Sequence, residues 1–183
     1  MTARRLRRLM IAVPLLAAAW AAWGWYWGDF LGPVTEAEAR GYFAKAVDAV
    51  EHKDFDALCR LNSSYGTCHA ELQHECPESF PDLHFPEGEE LEQVCRQAAP
   101  AGPPTILRSC YWPAKNGRVG GRILVVQGVN GRGKPFETEV LVFRDARSFK
   151  SQHTVYWSGS KFRDSKSGEP IVASPDESPP GVC

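Results

Sequence analysis

Between Leu9 and Trp27 the chain carries no charged residue over 19 positions. A helix of that length spans roughly 28 Å, close to the hydrocarbon thickness of a bilayer. Such a segment has no place on the surface of a small water-soluble fold. It predicts a single membrane-spanning helix whose partner is the lipid bilayer. Arg4, Arg5, Arg7 and Arg8 precede it, and positive flanks resist translocation, so the N-terminus is expected in the cytoplasm. Trp20, Trp23, Trp25, Tyr26 and Trp27 crowd the distal end. Amphipathic rings favour the headgroup region and would form an aromatic belt there. Pro14 is tolerable inside a membrane helix. The alternative is a cleaved signal peptide, with Arg4–Arg8 and Leu9–Leu16 as its first two regions and Ala17-Ala18-Ala19 as its cleavage site. Spanning length and the aromatic belt favour the uncleaved anchor. Both readings deliver the remainder of the chain outside the cytoplasm, as a single-pass membrane protein or an exported one.

The cysteines follow the same division. Cys59, Cys68, Cys76, Cys95, Cys110 and Cys183 all lie beyond the apolar segment. An even number in an exported domain predicts disulfides, although six cysteines allow fifteen full pairings. The stretch 59–95 holds four of them and is expected to be stapled. Outside residues 1–28 the chain has five more acidic than basic residues. That balance lacks the long-range attraction for phosphate that nucleic-acid binders need, which sets DNA and RNA aside as partners.

Residues 29–34 read as a linker containing Gly32-Pro33. Thr35 and Glu38 form a capping box. Ala39, Tyr42, Phe43, Ala46, Val47 and Val50 then recur at helical spacing, predicting a helix from Glu36 to His52. Asp54 reads as the N-cap of a short second helix carrying Phe55, Leu58 and Leu61. A third helix is placed over Thr67–Cys76, and Pro77, Pro81 and Pro86 break the chain after it. A fourth runs from Gly88 to Gln97, with acids in its first turns and Leu91, Val94, Cys95 and Ala98 as its stripe. From Thr105 the pattern changes to strands at Thr105–Trp112, Arg118–Val129, Phe136–Arg144 and Gln152–Trp157. Turns are expected at Asn116-Gly117, at 130–135 and at 145–148. Short connections imply an antiparallel meander. Gly120-Gly121 marks a bulge. Val140–Phe143 is continuously apolar, as a strand covered on both faces would be. Residues 160–183, rich in Ser, Pro and Gly, read as a disordered tail, leaving 35–159 as the folded unit.

Helices followed by a curved four-stranded meander make an α+β domain. The helix pair at Glu36–Leu61, broken at Lys53-Asp54-Phe55, and strands ending in Val155-Tyr156-Trp157 resemble the NTF2-like, cystatin-like superfamily. The resemblance is to its small membrane-anchored extracytoplasmic bacterial domains and covers residues 35–159. It implies helices packed into the concave face of a bent sheet. The superfamily holds isomerases, dehydratases and non-enzymatic binding modules, so it fixes no activity.

Gly128–Lys134 has the spacing of a phosphate-binding loop, but Pro135 stands where Ser or Thr must hold magnesium, and a strand follows instead of a helix. Cys68, His69, His74 and Cys76 match no familiar zinc spacing, and oxidation competes for the thiols outside the cell. Asp54 and Asp56 are better explained as a helix cap and a first-turn acid than as metal ligands. Asn62-Ser63-Ser64 is a glycosylation sequon by pattern. No catalytic, cofactor or metal site is assigned. Tyr111, Glu139, His153 and Tyr156 are strand positions that could line a pocket on the concave face. The expected function is a membrane-tethered extracytoplasmic binding or interaction module, non-enzymatic, for a protein or small-molecule partner. The alternative is an enzyme or carrier using an NTF2-like pocket.

Overall fold

The computed structural model describes residues 14, 16–20, 22, 32–77, 86–112, 119–145 and 148–162. Most of the apolar segment Leu9–Trp27 lies outside these residues, as do Asn116-Gly117, residues 163–182 and Cys183. Positions 14, 16–20 and 22 are helical and exposed. Among the described residues no helix is long and apolar enough to cross a membrane.

Four helices precede four strands: α1 (Glu36–Glu51), α2 (Phe55–Leu61), α3 (Tyr65–Glu75), α4 (Gly88–Ala98), then β1 (Thr105–Trp112), β2 (Val119–Val129), β3 (Pro135–Asp145) and β4 (Ser148–Gln152). The Thr35 side chain accepts from the Glu38 amide and Glu38 reaches back to the Thr35 amide, so the capping box starts α1 as its sequence requires. Asp54 caps α2 through the Ala57 amide at 2.8 Å, and Ser64 caps α3 through Thr67. α3 therefore begins two residues before the expected Thr67.

The strands form one antiparallel sheet in the order β1-β2-β3-β4, a meander. The β2–β3 register shifts between Val119 and Arg122, across Gly120-Gly121. A Cβ on Gly121 would stand 2.6 Å from the Val142 carbonyl oxygen, so the two strands approach there only because no side chain intervenes.

Both faces of the sheet are covered. On the inner face Leu124, Val126, Val140 and Val142 pack with Phe43, Val50, Leu58 and Tyr156 in the main core. On the outer face Ile123, Leu141 and Phe143 form a second cluster, covered by Trp112 and Phe162. This accounts for the unbroken apolar run in β3.

The fourth strand differs from its expected span. It is Ser148–Gln152, and residues 153–157 form a turn. His153 has φ 57°, outside strand geometry for a non-glycine residue. Thr154 to Trp157 are buried without pairing as a strand. Beyond them the Glu139 amide donates to the Ser160 carbonyl at 2.9 Å and the Phe162 amide donates to the Glu139 carboxylate at 2.8 Å. Residues 160–162 thus run along β3 and belong to the domain, not to a tail.

The domain also begins earlier than Thr35. Val34 is 1% exposed, and its amide donates to the Gly120 carbonyl at 2.9 Å. Arg144, nearly buried, donates to the Gly32 carbonyl, pairs with Glu38 and lies over the Phe149 ring. One guanidinium ties the incoming chain, the start of α1 and the β3–β4 hairpin together.

Two disulfides cross-link the helical layer, Cys59–Cys68 between α2 and α3, and Cys76–Cys95 between the end of α3 and α4. Cys110 is disulfide-bonded as well. Bridges of this kind fit an oxidising, extracytoplasmic compartment.

Candidate functional site

The four pocket candidates do not converge. Tyr156 is fully buried in the main core, with Phe43, Phe136 and Trp157 rings 5.4, 6.1 and 5.4 Å from its own. Burial pushes its phenol well above the usual range, and its oxygen has no hydrogen-bond partner. Glu139 and His153 meet at the outer face instead. There the His153 Nδ1 lies 3.0 Å from the Glu139 carbonyl oxygen, and its ring stacks on Phe162 at 4.3 Å. Tyr111 is half-buried in β1, across Gly120, where an added Cβ would stand 2.4 Å from its hydroxyl. The inner face of the sheet is filled by aromatic side chains where a pocket was expected, because residues 154–157 fold inward as a packed turn.

Other sequence features resolve into structure. Cys68 and Cys76 are both in disulfides, so they are not thiolate ligands. Among the described residues no three His, Cys, Asp or Glu side chains gather as a metal site would need. Asn130 in the glycine-rich loop caps its own turn, its Oδ1 accepting from the Arg132 and Lys134 amides. Gly131 lies against α4, where a Cβ would meet the Gln97 carbonyl oxygen at 2.1 Å. Asn62 is 5% exposed, and its Nδ2 donates to Thr154. Glycan transfer to that nitrogen is sterically closed in the folded domain.

A groove of about 610 Å³ lies in the helical layer, between the α1–α2 corner and helices α3 and α4. Phe55, Leu72, Leu91 and Cys95 form its apolar floor. These are the inward stripes of three helices that meet at an angle and leave a trough between them. The rim carries both signs of charge, with His52, Lys53, Asp56, His69, Glu89 and Arg96 among its residues. Tyr65, 49% exposed, stacks on His69 one turn along α3, with centroids 6.3 Å apart and planes 22° apart. A second hollow of about 520 Å³ shares His52 and Asp54 and extends the trough along α1.

Most charged groups at the rim are already engaged. Asp54 caps α2. Asp56 accepts from Arg60 and from the Tyr65 hydroxyl, and these bonds hold its carboxyl below the usual range. Glu92 pairs with Arg96. His52 is raised by its hydrogen bond to the Asp48 carbonyl and by the Asp48 charge. The groove thus combines an apolar floor, a stacked Tyr–His pair and a rim of mixed charge.

Sequence reasoning missed this groove. Its residues come from three helices cross-linked by the two disulfides, and no local sequence pattern brings them together. The one signal present was the pairing of four cysteines within residues 59–95.

No family model, curated protein or solved structure matches the chain.

Proposed function

We propose that this protein is a membrane-tethered extracytoplasmic binding module, non-enzymatic, which takes a segment of a partner protein in the groove between α2, α3 and α4. The observation that carries the reading is the placement of the disulfides. Cys59–Cys68 and Cys76–Cys95 join the three helices that wall the groove. A cross-linked trough is pre-organised and loses little freedom on binding, which is where affinity is usually spent. The filled inner face of the sheet supports the same reading, since a pocket enzyme of NTF2-like layout would need that space open. The occupant that fits is a peptide segment with one apolar side chain for the floor and polar flanks for the rim.

The tether rests on the charge-free segment Leu9–Trp27 and its arginine flank. The chain from Trp27 to Gly32 reaches at most about 18 Å, so the domain would sit close to the bilayer. The groove would then face away from it. Val34 and Arg144 hold the incoming chain at the start of α1, whereas His52 and Lys53 lie at its far end, about 24 Å along the helix.

Photo-crosslinking on native membranes tests this. A crosslinking residue at position 65 or 89 is expected to give discrete protein adducts, and one at Arg108 on exposed β1 to give none. The protein should also stay in the membrane fraction through a high-salt wash. Adducts confined to position 108, or protein released by salt, would refute the module or its tether respectively.

A further inference from the structure

Among the described residues β1 pairs only with β2, so it is an edge of the sheet. The outer face of an edge strand stays wet unless another part of the chain lies over it. Directly opposed residues of an antiparallel pair share a face. Cys110 stands opposite Ile123, a member of the outer cluster, and so belongs to the outer face. It is nevertheless 2% exposed. Chain therefore lies over the face as far as its β1 edge.

The bond that Cys110 makes identifies that chain. Cys110 is disulfide-bonded, and the pairs Cys59–Cys68 and Cys76–Cys95 leave Cys183 as its partner. The other end of the same segment is fixed as well. The Phe162 ring lies 5.6 Å from that of Trp112, and its amide donates to the Glu139 carboxylate. Trp112 packs on the outer cluster, two positions from Cys110. Residues 163–182 are thus bounded at both ends by one patch of the outer face, across about 7 Å of strand.

The three bridges differ in what holds their sulfurs together. A bridge resists reduction when the fold keeps both thiols side by side, because they re-form it at once. Cys59, Cys68, Cys76 and Cys95 are 0–1% exposed between packed helices, and their partners stand 9 and 19 positions apart. Cys110 and Cys183 stand 73 positions apart. Residues 163–182 carry four prolines, two glycines and four acids against two bases, a composition with little apolar surface to dock on a sheet. Once opened, this bridge has the least to close it again.

We propose that the outer face at β1 is covered by this chain's own C-terminal segment, and that the Cys110–Cys183 bridge is a clasp which a dithiol reductant opens before either bridge of the helical layer. A thiolate of the dithiol attacks one sulfur and displaces the other as a thiolate. The second thiol of the reductant then closes its own disulfide and releases the second protein thiol. Two electrons pass from the dithiol to the bridge, and the two protein thiolates take up its protons. The opened domain keeps its helical bridges and gains an uncovered apolar strip at Cys110, Trp112 and Ile123. The clasp is separate from the groove and stands or falls independently of it.

The test titrates the full-length chain in a neutral maltoside detergent with dithiothreitol, alkylates with N-ethylmaleimide and maps the label by mass spectrometry. Cys110 and Cys183 are expected to be labelled as a pair, at a dithiothreitol concentration at least about tenfold below that which labels the other four cysteines. In that singly opened state hydroxyl-radical footprinting should show Trp112 oxidised several-fold faster. Trp157, 3% exposed in the main core, should be unchanged. Cys183→Ser should show the fast Trp112 without reductant. Labelling of Cys110 and Cys183 before any reductant is added, simultaneous labelling of all the cysteines, or a helical pair labelled first would overturn the proposal. So would a Trp112 indifferent to the opened bridge, or a Trp157 oxidised along with it.

Discussion

Glu71 shows what a single buried carboxyl does to the whole domain. Its folded-state pKa of about 7 lies above the ordinary 4.5, so the folded chain holds that proton more tightly than the unfolded chain. Folding is therefore favoured at low pH. No penalty applies below about pH 4.5, and it grows between 4.5 and 7 and is complete above 7. Discounted for partial exposure, it is on the order of 1–2 kcal/mol. His153 acts in the opposite sense, because its lowered pKa costs stability as pH falls below its unfolded value near 6.5. Comparing the native chain with Glu71→Gln cancels the histidine. Thermal melts should show the variant gaining about 1–2 kcal/mol relative to the native chain from pH 5 to pH 8. Parallel pH profiles would mean that Glu71 is as well solvated folded as unfolded. Nothing in the sequence marks this residue. It sits in an ordinary helical stretch, and the hollow it lines is completed by Gln152 and His153, which long-range topology brings beside it. Thr35, Glu38 and Asp54 were legible because a cap acts over three residues of chain.

At the scale of elements, the same contrast separates β3 from β4. Val140–Phe143 announced a strand covered on both faces, and the helices and the Trp112–Phe162 pair supply the two covers. Val155-Tyr156-Trp157 carries equal β propensity yet folds as a turn. An apolar run reports burial, and only its neighbours decide between strand and packed loop. Here β4 has already paired with β3 by Gln152. Thr154 is then held inward by Asn62 and donates toward Cys68 Sγ. The outer cover makes a prediction. Phe143 is 2% exposed, and Phe143→Ala should cost about 3–5 kcal/mol in denaturant melts. Phe162→Ala removes only the lid of that cluster and should cost roughly 1–2 kcal/mol. If the Phe162 change proved as costly as the Phe143 change, residues 160–162 would be integral to the outer core and not a cover on it.

For the whole molecule, the decisive feature is how the domain ends. Cys59, Cys68, Cys76 and Cys95 pair among themselves. Cys110 is also bonded, and the sequence holds one other cysteine, Cys183. The expected third bridge is therefore Cys110–Cys183, an assignment reached by counting. It would close a loop of roughly 70 residues, for which chain entropy gives up to about 4 kcal/mol, with less realised where the closed segment costs little to leave open. The tail would then be tied to β1, and cutting it away would cost stability despite its lack of core residues. Intact mass of the alkylated, non-reduced protein should show no free thiol. Cys183→Ser should show one, mapping to Cys110, with a melting temperature lowered by several degrees. The double change Cys110→Ser with Cys183→Ser should be no less stable than the single one, because the loss is that of the bridge. Two free thiols in the native protein would refute the bridge and return residues 163–183 to the role of an untethered tail.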